Sequence, residues 1–257
     1  INKKQKTNNI MNRKSSKSLL WAVIVLTMVS CTTTNQKDIE TSDQPPASAI
    51  VNPDPFEKAN RAIFKFNQDF DEAILIPFAK GYRQHIPRPA RLAVYNFFSN
   101  AAEGRNLVNS LLQGKLHQTV DSFSRMFVNT FFGLFGFVDI ATQTGLERRV
   151  EDIGQTLAVW GAGFGPYIVL PILGPSSGRD IFGLYSYFFY TDPLGYIDNS
   201  TARFSMLVLD MVDTRSRYLR ASSVFGFASV DPYLFARESY FQQRLDMIYD
   251  GAPPVDY

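Results

Sequence analysis

Gly174-Pro175-Ser176-Ser177-Gly178 has the G-x-S-x-G spacing of a nucleophile elbow and follows the apolar run Tyr167-Ile168-Val169-Leu170, which makes Ser176 a candidate nucleophile for lipid hydrolysis. An elbow of that kind needs its acid and then its histidine after the serine, whereas His85 and His117 both precede it. Other triad orders remain geometrically open, but no alternation of strands and helices is apparent to hold a strand-to-helix elbow. The competing reading of Ser176 and Ser177 is a cap for a helix beginning near Gly178. Gly161-Ala162-Gly163-Phe164-Gly165-Pro166 has the glycine density of a phosphate-cradling loop, yet it follows a helical pattern rather than a strand and lacks the Walker lysine. Those glycines suit positive φ or close backbone approach in a tight hairpin better. No His/Cys pair has metal-ligand spacing, so neither a metal nor another cofactor is expected. His85 and His117 read as surface or capping groups, and Asp69, Asp71 and Glu72 as a solvated helix face.

Cys31, the only cysteine, offers a different chemistry. It follows the basic stretch Asn12-Arg13-Lys14-Ser15-Ser16-Lys17 and the apolar run from Leu19 to Val29, a run too short to span a bilayer. A positive segment, a short apolar segment and small residues before a cleavage point describe a secretory signal. A cysteine directly after Val29-Ser30 describes a lipoprotein signal, with the thiol acylated and Cys31 the new N-terminus; the other reading is an inert, packed cysteine. Thr32 is not the aspartate associated with retention at the inner membrane, which directs the anchor to the outer membrane. Residues 1–30 are expected to comprise upstream sequence and the signal, with the start at Met11. Residues 31–52 form the lipidated cysteine and a Pro/Ser/Thr-rich linker, 53–250 one domain, and 251–257 a tail. A flexible linker of this length spans about 25 Å, so the folded body stays near the membrane.

Removing residues 1–30 takes away six basic residues and no acidic ones, leaving 20 basic against 24 acidic, a net charge of −4. That balance gives no electrostatic footprint for nucleic acid. Twenty-two Phe and twelve Tyr suit both packed cores and membrane interfaces.

The elements that must position these groups are helical. Asp54, Pro55 and Glu57 predict a helix start at N-cap, N1 and N3. Phe56, Ala59, Ile63, Phe66, Phe70 and Ala73 recur on one face, and Pro77 is expected to stop the helix after Ile76. Further helices are predicted at Pro89–Phe98, Arg105–Gln113, His117–Phe132 with Val120, Phe123, Phe127 and Phe131 aligned, Glu151–Trp160, Gly178–Tyr190, Ala202–Tyr218 and Pro232–Tyr249. Only Tyr167–Leu170 reads as extended, bracketed by Pro166 and Pro171. The fold class is therefore all-α. The segment Arg125–Ile140 is the most apolar, interrupted by Arg125, Asn129 and Asp139. It reads either as a core helix or as a helix bordering lipid, with Gly133 and Gly136 permitting a bend or hairpin.

Asp54-Pro55-Phe56-Glu57 with Asn60-Arg61 and Phe64-x-Phe66-Asn67, Ile86-Pro87-x-Pro89-Ala90-Arg91, Asn109-x-x-x-Gln113-Gly114, Arg125-x-Phe127-x-Asn129-Thr130 and Gly136-Phe137-x-Asp139 form an ordered series. With Gly161-x-Gly163-x-Gly165-Pro166-Tyr167, Leu170-Pro171, Arg179-Asp180, Asp231-Pro232-Tyr233 and Arg237-Glu238-x-Tyr240-Phe241, the series resembles the MlaA (VacJ) lipoprotein family over roughly residues 53–250. The resemblance implies a non-enzymatic outer-membrane lipoprotein that removes mislocalised phospholipid from the outer leaflet and maintains lipid asymmetry. It implies a ring-like bundle of helices, partly embedded in the inner leaflet from the periplasmic side, with a central amphipathic channel. Its implied partners are a trimeric porin and a periplasmic phospholipid carrier feeding an inner-membrane transporter. By position, Gly161, Gly163, Phe164, Gly165, Pro166 and Tyr167 match the channel-side hairpin and are the first choice for a gate, with Asn60 and Asn67 second. Gln68 stands where an apolar residue is common in the family. Arg179-Asp180 and Arg237-Glu238 are expected as structural ion pairs. A lipid hydrolase using Ser176 and a purely structural porin-associated lipoprotein are the alternatives.

Overall fold

The computed structural model describes residues 54–186, 197–225 and 231–254. Cys31, the signal, the linker to residue 52, the expected helical residues 187–190 and the last three residues of the tail lie outside them.

Asp54 works one step earlier than a cap. Helix α1 runs Glu57–Phe70 with Phe56 at the N-cap position, while the Asp54 carboxylate accepts the Phe56 N–H at 3.2 Å and Asn60 Nδ2 at 2.8 Å. Pro77 does not end the helix. The chain passes through one π-helical turn, Asp71–Leu75, directly into α2, Ile76–His85. The wider turn lets the Ile76 N–H bond Asp71 O five residues back, which accommodates a proline that a regular ladder would reject. Asp71, expected on a solvated face, instead binds Arg215 through both carboxylate oxygens at 2.6 and 2.8 Å.

The helices predicted at Pro89–Phe98 and Arg105–Gln113 are one, α3, Arg88–Leu112. Its 25 residues give a length of about 37 Å. Gly104 does not break it, and Gly114, at φ 75°, provides the left-handed residue that does. Next come α4, Leu116–Phe131, and the short α5, Ile140–Gln143, capped by Asp139 accepting the Thr142 N–H. Then come α6, Ile153–Val159, and the antiparallel pair β1, Tyr167–Leu170, and β2, Gly174–Ser177. Helices α7, Gly178–Ser186, α8, Ser200–Phe225, and α9, Pro232–Ile248, complete the described chain. Among the described residues the fold is helical apart from this hairpin.

The buried apolar residues are few. Tyr167 and Val169 of β1 pack with Tyr233 and Phe241 of α9, flanked by Ile63, Phe64, Phe164 and Tyr240. Elsewhere the polarity of the helices is inverted. The buried faces are polar: Asn100, Glu103, Asn106 and Asn109 on α3, and Ser122, Arg125 and Asn129 on α4. The aligned stripe Val120, Phe123, Phe127 and Phe131 points outward, Phe131 being 70% exposed. On α1 likewise Asn60 is buried while Phe56 and Phe66 are half exposed. Periodicity correctly located the stripes but not the side they face.

After α4 the chain turns back through residues 132–138, presenting Phe132, Leu134 and Phe135 outward, Phe135 at 75% exposure. Leu134 and Phe135 adopt positive φ of 53° and 58°, uncommon for side chains of this kind. The turn satisfies its backbone by Phe135 N–H to Thr130 O at 3.0 Å, Gly136 N–H to Asn129 O at 2.8 Å and Val138 N–H to Gly133 O at 2.9 Å. Of the two readings of Arg125–Ile140, the core helix fails on its apolar side and holds only for its polar one.

Candidate functional site

Helix α1 holds the hairpin by two carboxamides. Asn60 Nδ2 donates to Tyr167 O at 3.0 Å and its Oδ1 accepts the Val169 N–H at 2.9 Å. Asn67 repeats the pattern two turns on, donating to Leu170 O at 2.9 Å and accepting the Ile172 N–H at 2.7 Å. Seven helical residues rise about 10.5 Å and three strand residues about 10 Å, so the two spacings coincide. Each amide thus reproduces the donor–acceptor pair of a neighbouring strand and covers the free edge of β1.

On its other side the hairpin walls a cavity of about 530 Å³. Leu170, Leu173, Pro175 and Ser176 come from the hairpin, Tyr95, Phe98, Ser99 and Arg105 from α3, with Arg148 and Asp152 from the segment before α6. Asp180 of α7, Asp210 of α8, and Tyr240 and Arg244 of α9 complete the charged part of the lining. The lining therefore mixes apolar side chains with both signs of charge.

A buried network organises one wall. Arg244 binds Asp152 through two nitrogens at 2.6 and 3.0 Å and lies 2.8 Å from Asp180, which also pairs with Arg179 at 2.9 Å and accepts Tyr240 OH at 2.5 Å. Burial tends to raise the Asp152 carboxyl, but the hydrogen bonds and charge of Arg244, with the Gln155 N–H, override it and hold the pKa at about 2. Burial, reinforced by Asp180, pushes the Tyr240 phenol far above its ordinary value. The site is open to the network only because residue 154 lacks a side chain: a Cβ on Gly154 would meet the Asp180 carboxylate and come 2.7 Å from Arg244.

The sequence-derived candidates divide between the latch, the segment entering the hairpin and the cavity wall. Asn60 and Asn67 are the latch. Gly161, Gly163, Phe164, Gly165, Pro166 and Tyr167 lead into β1 and do not line the cavity; its hairpin wall lies farther on, at Leu170 to Ser176. Phe164 is packed edge-on against Phe241 at 5.2 Å and under the Arg179 guanidinium at 4.2 Å, and Tyr167 is fully buried. Gly161 and Gly165 hold φ of 94° and 67°, but Gly163 lies outside the left-handed region with open space beside it. Gly165→Ala is therefore expected to lower stability by about 1–2 kcal/mol, whereas Gly163→Ala stays within about 0.5 kcal/mol, measured by thermal unfolding. Equal melting temperatures for the two variants would refute this assignment of strain.

Ser176 is buried on β2 and lines the cavity, but no histidine accompanies it. His85 is exposed with Nδ1 2.8 Å from Gly81 O, and His117 is exposed beside Asp121. Ser177 Oγ accepts the Asp180 N–H at 3.2 Å, as a residue leading into α7 should. Arg237 pairs with Glu238 at 2.9 Å on the surface. Among the described residues no three of His, Cys, Asp and Glu converge as metal ligands. Sequence reasoning missed the cavity charges Arg105, Arg148, Asp152, Asp210 and Arg244, which lie on four separate segments and share no motif.

The geometry has relatives. A solved structure from work on the structural basis for maintenance of bacterial outer membrane lipid asymmetry matches with a TM-score of 0.69 at 33% identity, covering 77% of this chain and all of that one. The intermembrane phospholipid transport system lipoprotein MlaA of Escherichia coli (strain K12) is 36% identical over 202 residues, covering 77% of this chain and 79% of that protein. Its counterpart in Haemophilus influenzae is 31% identical over 202 residues, covering 77% and 80%. The pattern of the MlaA lipoproteins matches residues 52–246, the helical body with its latched hairpin and charged cavity, and the chain belongs to that family.

Proposed function

We propose that this protein is an outer-membrane lipoprotein that draws mislocalised phospholipid out of the outer leaflet and through its amphipathic interior, maintaining lipid asymmetry without catalysis. Cys31 carries the anchor, and the helical body sits in the inner leaflet from the periplasmic side as a ring around the cavity. A trimeric porin holds it in the membrane, and a periplasmic carrier receives the lipid. One observation carries this reading: the apolar stripe of α4 and its following turn face outward while Glu103, Arg125 and Asn129 are buried within. A large exposed apolar surface marks contact with lipid or protein. Among the described residues no helix is long and apolar enough to cross a membrane. A headgroup cannot cross hydrocarbon cheaply, and a polar cavity with apolar walls accommodates head and chains together. The hydrolase reading of Ser176 gains nothing from the geometry, since neither histidine reaches the cavity.

Embedding is testable by removing the anchor first. Cys31→Ser alone is expected to leave most of the protein in the membrane fraction, because the outward Phe side chains remain. Adding Phe127→Ser, Phe131→Ser and Phe135→Ser removes roughly 1.5–3 kcal/mol of burial each and shifts the protein to the soluble fraction, with phospholipid accumulating in the outer leaflet. Complete release by Cys31→Ser alone, or unchanged retention of the quadruple variant, would sink the embedded body.

A further inference from the structure

Two polar atoms on the α3 side of the cavity make no hydrogen bond within the described residues. Ser99 Oγ and Arg148 Nε are buried and make no hydrogen bond among the described residues, and both residues line the cavity. Ser99 lies one turn from Tyr95 on the stripe Tyr95, Phe98, Ser99, Ala102 and Arg105, all of which face the same space. Arg148 is held against that stripe: its guanidinium donates to Tyr95 OH at 2.9 Å and sits 5.7 Å from the ring centroid. Its nearest carboxylate, Glu103, is committed to Arg125 Nε and Asn106 Nδ2, each at 3.0 Å. Arg148 Nε is left 3.6 Å away, too far for a hydrogen bond. The carboxylates Asp152 and Asp180 across the cavity are likewise engaged by Arg244 and Arg179.

The α3 wall therefore offers a hydroxyl and a guanidinium whose positions are fixed but whose donor capacity is not spent. Donors of this kind in a partly desolvated site select an anionic oxygen, and the planar fork of arginine suits phosphate. Phe98, Leu170 and Leu173 on the same lining offer apolar surface for the carbon attached to it. We infer that Ser99 and Arg148, with Arg105 beside them, form a subsite for the phosphodiester of a lipid headgroup in transit. The assignment rests on the conduit reading and adds to it a place where the head is held. A partly exposed guanidinium such as that of Arg148 orients a phosphodiester without trapping it, as passage requires.

Isothermal titration of the purified protein in non-ionic detergent, with a short-chain phosphatidylglycerol, a diacylglycerol of equal chain length, and inorganic phosphate, tests it. The phospholipid is expected to bind about tenfold more tightly than the diacylglycerol, and Arg148→Gln and Ser99→Ala each to remove about three- to tenfold of that, leaving diacylglycerol affinity unchanged. Circular dichroism checks the fold, and if Arg148→Gln fails to fold, Ser99→Ala decides. Phospholipid binding that neither variant weakens would overturn the subsite while leaving the conduit intact. Wild-type protein that binds neither lipid would overturn the conduit and the subsite together. Inorganic phosphate bound as tightly as the phospholipid, and lost in Arg148→Gln, would make this a free-phosphate site and overturn the lipid assignment.

Discussion

Arg125→Met is expected to lower the unfolding free energy by about 3–5 kcal/mol, the cost of leaving buried charges without their partner. Arg125 is 2% exposed and every nitrogen is used. Nε donates to Glu103 at 3.0 Å, one terminal nitrogen to Thr142 Oγ1 at 3.1 Å and Leu146 O at 2.5 Å, the other to both oxygens of Asp139 at 3.1 and 3.2 Å. One side chain of α4 thereby joins α3, the cap of α5 and the segment after it. Burial tends to raise the Asp139 carboxyl, but hydrogen bonds from Thr142 and Asn129 and the charge of Arg125 hold it below the usual carboxylate range. Methionine fills the volume and cancels that compensation, leaving Glu103 and Asp139 without their shared cation. For a domain of this size the loss corresponds to a fall of roughly 6–20 °C in Tm, read by thermal unfolding in detergent. Arg125→Lys recovers only part of it, because an ammonium has three donors at one point and cannot reach four partners spread around a planar fork. A methionine variant melting within about 2 °C of the wild type would show that the network does not hold these helices.

The same residue marks the boundary of what the sequence discloses. Arg125 in an otherwise apolar segment reads as an interruption, and so it is along the chain; across the fold it is the centre of the buried side. Helical periodicity identifies a stripe of Val120, Phe123, Phe127 and Phe131 from spacing alone, but spacing carries no statement about which solvent the stripe meets. In a water-soluble domain it would meet the core; here it is exposed. Element ends were legible where a local rule decides them, as at Gly114 and at Asp231, whose carboxylate accepts the N–H groups of Tyr233 and Leu234. They were not legible where a longer-range adjustment wins, as at Pro77, where a π turn absorbs the missing donor. Strand β2, Gly174-Pro175-Ser176-Ser177, has almost no strand-forming residues and exists because β1 pairs with it. The cavity charges were invisible for a related reason: their meaning lies in pairs such as Arg244 and Asp152, separated by 92 positions.

Asn60→Ala is expected to loosen the hairpin at a cost of about 2–4 kcal/mol, because truncation leaves two buried backbone groups, Tyr167 O and the Val169 N–H, without a partner. Asn67→Ala should cost about 1 kcal/mol, since the Ile172 N–H it serves is at the exposed end of the latch and can turn to water. Asn60→Asp is no remedy. Its carboxylate could still accept from Val169, but it could not donate to Tyr167 O, and it would stand against Asp54, whose oxygen now accepts Asn60 Nδ2 at 2.8 Å. Hydrogen exchange separates the latch from general destabilisation: Val169 should lose protection in Asn60→Ala and Ile172 in Asn67→Ala, while amides in the middle of α3 keep theirs. Full protection of both hairpin amides in the double variant would remove the latch. The functional consequence follows from what the hairpin carries. Leu170, Leu173 and Pro175 form one wall of the cavity, and a strand no longer pinned along its edge can move that wall without unfolding the helices around it. Outer-leaflet phospholipid should therefore change in Asn60→Ala cells that contain normal amounts of protein.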